Sequence, residues 1–206
     1  PAGVIGTGAM TQFASKLTGY NPITGADTFF SGGKDLYLTI EADVCAAAYD
    51  ALNGHKGTVG VYNYKTGEII CMVSSPTYDP QNPPSISADD KSGVYINRFT
   101  SSKFPPGSIF KLVTAAASIE NKSDYASWEY TCTGSQNYDD GRVTCQDAHG
   151  TVNLEQALAD SCNCYFGELA RQLGSDLMKE YVEKTGLTLS RDVNGISTAR
   201  GSFDFP

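Results

Sequence analysis

The segment that follows Pro105-Pro106-Gly107 constrains the fold most. Its spacing places Ile109, Leu112, Ala116 and Ile119 on one helical face, with Val113, Ala115 and Ala117 among the remaining positions. A helix so apolar on nearly every side predicts a mostly buried course through the middle of a domain. Pro105 and Pro106 keep the preceding chain out of this helix, and Gly107 leaves the next residue approachable. Two polar side chains interrupt it. Ser108 and Lys111, three residues apart, share a face at the helix start and need a polar cleft or partners there. The pair is a candidate nucleophile and base. A helix N-terminus and low-dielectric surroundings both disfavour an ammonium, and a deprotonated amine can take the serine proton. Alone, a Ser and a Lys at this spacing also fit a solvated helix surface, and the apolar context carries the reading.

Residues 1–33, rich in Gly, Thr and Ser, read as a loop-rich lead-in. The run Leu36-Tyr37-Leu38-Thr39-Ile40 predicts a strand, and Ala42, Cys45, Ala46, Tyr49 and Leu52 predict an amphipathic helix stopped at Gly54. Thr58–Tyr64 and Glu68–Ser74 predict a hairpin reversed at Lys65-Thr66-Gly67. Residues 76–93, with Pro76, Pro80, Pro83 and Pro84, predict a long surface loop of the kind that rims a cleft. Further on, Asn153 and Gln156 form a capping-box pattern for a short helix ending near Asp160. Tyr165, Phe166, Leu169, Ala170 and Leu173 predict a second helix stopped by Gly174, and Leu177, Met178 and Tyr181 a third stopped by Gly186. Ser161-Cys162-Asn163 lies in the break between helices, where Ser and Asn commonly act as caps.

Composition excludes several classes. At 206 residues, 40% hydrophobic and 18% charged, the chain reads as a soluble globular protein of one domain or two small ones. A net charge of -8 without a basic stripe argues against nucleic-acid binding. No stretch approaches the roughly 18 consecutive apolar residues of a membrane span, and no secretion pattern opens the chain. Its first residue is Pro1, which fits a piece whose export signal or anchor lies upstream. The six cysteines are too scattered for a disulfide framework. Cys132 and Cys145 bracket a hairpin-like segment, so a disulfide between them is geometrically reasonable. Cys162-Asn163-Cys164 lacks the two-to-four-residue gap usual in structural zinc sites, and no metal or cofactor is expected.

Pro105-Pro106-Gly107-Ser108-Ile109-Phe110-Lys111, preceded by Asn97-Arg98 and followed by His149-Gly150 and Ser161-Cys162-Asn163, closely resembles the transpeptidase domains of bacterial penicillin-binding proteins, class B-like in kind. Leu38-Thr39-Ile40 and the stretch Lys65–Ser74 resemble that family's first strands, so the likeness covers about residues 34–190. It implies an α+β fold in which an antiparallel sheet packs with helices, as in β-lactamases, with residues 34–206 forming the N-terminal portion of the domain and the later sheet strands lacking. By the same resemblance, Ser108 is the nucleophile that attacks D-Ala-D-Ala stem peptides of peptidoglycan, and Lys111 accepts its proton. Ser161 relays protons toward the leaving amine and Asn163 holds the substrate backbone. β-Lactams would trap the same serine. The resemblance also implies an extracytoplasmic, membrane-anchored full-length protein.

One motif departs from the family. Its late Lys-Ser/Thr-Gly strand has no match: Lys65-Thr66-Gly67 falls in a hairpin turn and Lys184-Thr185-Gly186 ends a helix. The expectation is therefore a fragment, truncated or cleaved from a remainder that still binds it, and nearly inactive alone because an oxyanion donor and a sheet wall are absent. A D,D-carboxypeptidase or β-lactamase of the same superfamily, and a non-catalytic scaffold fragment, stand as alternatives. A Ser-His-Asp hydrolase would need His55 or His149, and both read as structural.

Overall fold

The computed structural model describes residues 12–17, 20–21, 26–27, 35–193 and 195–205. Most of the lead-in at 1–33 lies outside them. What is described there is a short helix α1 (Ala14–Leu17) and the paired strands β1 (Tyr20–Asn21) and β2 (Ala26–Asp27). The chain divides into two compact units, residues 1–103 with 190–199 and residues 104–189 with 200–206. Every strand pair among the described residues is antiparallel, which with the helices makes the α+β class.

The first unit is built on the hairpin of β3 (Gly57–Tyr62) and β4 (Ile69–Ser75). Its reversal follows local chemistry. Asn63 Oδ1 accepts from Lys65 N–H at 3.0 Å, and Gly67, at φ +78°, donates its N–H to Asn63 O. Lys65 is exposed at this turn. Helix α2 (Ala42–Leu52) packs near β4 and ends at Asn53, which takes the left-handed conformation one residue before the expected Gly54. The predicted strand at 36–40 does not form. Thr39 Oγ1 donates to Ile69 O and Glu41 N–H to Ile70 O, so the segment lies beside β4 without a ladder, with Tyr37 and Leu38 exposed.

Residues 76–97 carry no helix or strand, which agrees with the proline-rich loop expected there. The loop is anchored at its end by α3 (Arg98–Ser101). Asn97 caps this helix by accepting from Phe99 and Thr100 N–H, and the buried Arg98 guanidinium donates to Gly93 O and Ser92 O at 3.1 Å. A Cβ on Gly60 of β3 would fall inside the Phe99 ring, so glycine lets α3 lie against the strand. The strands β9 (Asp192–Val193) and β10 (Ile196–Ser197) complete this unit.

The second unit starts with a 3₁₀ turn at Gly107–Phe110 that continues as α4 (Lys111–Asn121). This helix is half buried rather than encased. Lys111, Val113, Thr114, Ala115, Ala117 and Ser118 face inward, whereas Ile109, Leu112 and Ile119, the face that spacing singled out, are exposed. The small residues decide this, because they admit close approach by neighbouring helices. Strands β5 (Tyr130–Cys132), β6 (Ser135–Tyr138), β7 (Gly141–Thr144) and β8 (Gly150–Val152) pair as β5 with β8 and as a β6–β7 hairpin. Helix α5 (Leu154–Ala159) opens on the full Asn153–Gln156 capping box and is followed by α6 (Asn163–Leu173) and α7 (Ser175–Thr185). Gly174 and Gly186 end the last two, both at positive φ, as expected from sequence. Val113 and Ala117 of α4 pack with Met178, Tyr181 and Val182 of α7, while Ala115 joins Tyr165, Phe166 and Leu169 of α6 in a second cluster with β5 and β8.

Candidate active site

The four residues singled out by sequence converge within the second unit. Ser108 sits on the exposed 3₁₀ turn, directly after Gly107, whose φ of +58° is easy only for glycine. Lys111 begins α4 proper and is 8% exposed. Ser161 ends the α5–α6 connection with φ +53°, an unfavourable conformation for a non-glycine residue, and it turns both its carbonyl and its hydroxyl toward the lysine. Asn163 opens α6. The helix cap expected of Ser161 and Asn163 is instead made by Cys162, whose Sγ accepts from Tyr165 N–H at 3.4 Å. That substitution frees the two polar side chains for the cleft.

Lys111 Nζ lies 3.1 Å from Ser108 Oγ, 2.8 Å from Ser161 Oγ, 2.7 Å from Ser161 O and 2.7 Å from Asn163 Oδ1. The two serine hydroxyls are 2.9 Å apart. Asn163 is held in turn, its Nδ2 donating to Thr144 O at 2.8 Å. Both ends of the amide are therefore engaged inside the protein, and one N–H remains for a bound peptide carbonyl.

The lysine environment is electrostatically unusual. Burial pushes its pKa below the ordinary lysine value, opposed by the nearby sulfurs of Cys145 and Cys162. No carboxylate pairs with it among the described residues. Carbonyl oxygens only accept, so the two N–H groups of a neutral amine are satisfied by Ser161 O and Asn163 Oδ1. Its lone pair is left to the hydroxyls of Ser108 and Ser161. The arrangement can thus remove a proton from Ser108 and pass it on through Ser161, which is the chemistry of a serine acyl-transfer centre with a lysine base.

The two Lys-Thr-Gly tripeptides stand apart from this chemistry in local structure: one turns the β3–β4 hairpin and the other ends α7. Sequence reasoning missed one grouping. Cys132, Cys145, His149 and Cys162 bring their ligand atoms within 4.8 Å of one another in the same unit. Cys145 and His149, separated by three residues, are the one short-spaced signal; Cys132 and Cys162 lie 13 residues from the nearer of these two along the chain, which hides the full set. Cys132 and Cys145 are both free, with Sγ atoms 3.7 Å apart rather than bonded.

Comparison with known proteins identifies the family. The penicillin binding protein transpeptidase domain matches residues 57–203, and the chain belongs to that family. It is 32% identical over 186 residues to the peptidoglycan D,D-transpeptidase PbpA of Mycolicibacterium smegmatis, covering 77% of this chain and 38% of that protein. Against the D,D-transpeptidase MrdA of Acinetobacter baumannii it is 29% identical, covering 80% of this chain and 27% of that one. Among solved structures, the D,D-transpeptidase domain of a peptidoglycan glycosyltransferase from Eggerthella lenta superposes with TM-score 0.72 at 28% identity, over 97% of this chain and 50% of that chain. A ceftriaxone acyl-enzyme complex of penicillin-binding protein A from M. tuberculosis superposes with TM-score 0.66 at 27% identity, over 85% of this chain and 43% of that one. The chain thus spans half or less of the length of these relatives.

Proposed function

We propose that the protein carrying this chain is a peptidoglycan D,D-transpeptidase, class B in kind, in which Ser108 is the nucleophile and Lys111 its base. One observation carries the reading: a buried lysine amine with no acidic partner among the described residues, 2.7 Å from Ser161 O and from Asn163 Oδ1 and 3.1 Å from the Ser108 hydroxyl. In the first half-reaction the Ser108 Oγ–H proton moves to Lys111 as Oγ bonds to the penultimate D-Ala carbonyl. Collapse of the tetrahedral intermediate breaks the C–N bond, and Ser161 delivers the proton from Lys111 to the departing D-Ala amine. The second half-reaction reverses the sequence with an amine of a neighbouring stem peptide, forming the crosslink. Asn163 positions the lysine through Oδ1 and offers its remaining N–H to the substrate backbone. A β-lactam opens on the same serine and leaves a slowly hydrolysed acyl-enzyme.

The relatives named as D,D-transpeptidases and the acyl-enzyme complex of the mycobacterial neighbour support the assignment. Peptidoglycan substrates place the protein outside the cytoplasm, tethered to the membrane by a segment other than those described, in which no helix is long and apolar enough to span a bilayer. Labelling with a fluorescent penicillin tests the centre. The expected result is one labelled site that Ser108→Ala abolishes; labelling that persists in this variant refutes the assignment. Release of crosslinked dimer from stem-peptide donors and amine acceptors separates transpeptidation from water-driven carboxypeptidation.

A further inference from the structure

Behind the Ser161–Asn163 turn, side chains from separate stretches of the second unit meet. Cys132 closes β5, Cys145 follows β7, His149 precedes β8 and Cys162 caps α6. Three of their mutual distances match the edges of a tetrahedral metal site, and all lie within 4.8 Å. A tetrahedral zinc with Zn–S of about 2.3 Å has S···S edges of about 3.8 Å, and with Zn–N of about 2.0 Å its S···N edges are about 3.5 Å. Cys132 Sγ lies 3.7 Å from Cys145 Sγ and 3.5 Å from His149 Nδ1, and Cys145 Sγ lies 3.8 Å from Cys162 Sγ. A disulfide would require about 2.05 Å.

We propose that Cys132, Cys145, His149 and Cys162 bind one zinc ion in a closed Cys₃His site. The donor set suits it, since thiolates with an imidazole select zinc over the hard cations that prefer oxygen. Two sulfurs already receive backbone hydrogen bonds from the start of α6: Cys164 N–H donates to Cys145 Sγ and Tyr165 N–H to Cys162 Sγ, both at 3.4 Å. Such N–H···S bonds and the positive end of the helix stabilise the thiolate charge that a metal requires. Cys164, though 3.5 Å from Cys145 Sγ, directs its own thiol at Val143 O and stays outside the ligand group.

Four protein ligands leave no open position, so the ion is structural rather than a Lewis acid. Its location gives it leverage over the cleft. Cys162 lies between Ser161 and Asn163, and Cys145 follows Thr144, whose carbonyl holds the Asn163 amide. The ion therefore ties the end of β5 and the approach to β8 to the end of β7 and the start of α6, and the last two carry or hold Ser161 and Asn163, the partners of Lys111.

Elemental analysis by plasma mass spectrometry of the full chain, purified without chelator, should find about one zinc per polypeptide. Exchange for Co²⁺ should give thiolate charge-transfer absorption and the intense visible bands of four-coordinate cobalt. Cys132→Ser and His149→Ala should each lose most of the metal, while Cys164→Ser should keep it. If those variants do not fold, the cobalt spectrum of the unaltered protein decides alone. A metal-free protein that gains no such spectrum with Co²⁺, a Cys132–Cys145 disulfide in the unreduced mass, or metal loss in Cys164→Ser equal to that in Cys132→Ser would overturn the site.

Discussion

Replacing Lys111 by Met removes the amine while keeping much of the buried stem. The described residues offer no substitute base: besides the lysine amine, the group bonded to Ser108 Oγ is the Ser161 hydroxyl, too weak a base to hold the proton. Loss of a positioned general base costs about 10²–10⁴ in rate. That corresponds to about 3–5 kcal/mol of barrier. The assay is the second-order rate of acylation by a fluorescent penicillin, measured across pH. In the unaltered protein the rate should rise with pH as the amine deprotonates, with its midpoint below the ordinary lysine value because burial disfavours the ammonium. The variant should lose this limb. Stability follows the same proton. A folded pKa below the unfolded one means that the unfolded chain binds more protons between the two, so stability rises with pH across that window and falls as pH drops through the folded pKa. In denaturant titrations the difference in stability between the unaltered protein and Lys111→Met should carry this slope. Acylation by Lys111→Met within about tenfold of the parent, with the pH limb intact, would refute a lysine base.

Asn163→Asp sets a carboxylate where an amide oxygen now lies 2.7 Å from the amine, which favours the ammonium and should move the acylation limb to higher pH; an unchanged or lower midpoint contradicts the electrostatic account. Asn153→Ala removes the side-chain half of the capping box and should lower stability by about 1 kcal/mol in urea titration, with acylation of the folded protein unchanged. Gly201→Ala would bring a Cβ to 2.1 Å from Leu187 O, a backbone atom that cannot rotate aside, and should destabilise by about 1–3 kcal/mol; thermal melts matching the parent would show that the close approach is not maintained in solution.

What was legible in the sequence was local, and the reason is physical. Asn63 and Gly67 specify the β3–β4 reversal within a few residues, and Asn153 with Gln156 specifies a helix start by reciprocal hydrogen bonds. Gly174 and Gly186 stop their helices because each supplies a positive φ on the spot. The failures are those in which a distant partner decides. Residues 36–40 have strand composition but no ladder among the described residues, and Tyr37, Leu38 and Ile40 stay exposed. On α4 the bulky Ile109, Leu112 and Ile119 drew the eye as the packing face, yet the helix buries Ala115, Ala117 and Ser118, because α6 and α7 approach where side chains are small.

The site divides along the same line. Ser108 and Lys111 are three residues apart, and their meeting follows from one helical turn. Ser161 and Asn163 reach the same amine from about fifty residues away, and spacing alone assigned them to a helix cap. That reading fails for a specific reason. Cys162 satisfies the helix N-terminus with its sulfur, and the left-handed backbone at Ser161 then turns that residue's carbonyl and hydroxyl onto the lysine. A small sulfur cap between two polar residues is therefore what converts a helix break into half of the proposed catalytic centre. The thiol that does this faces Cys145, close to Cys132 and His149, so whatever holds those sulfurs together also holds the geometry on which the proposed Ser108 proton transfer depends.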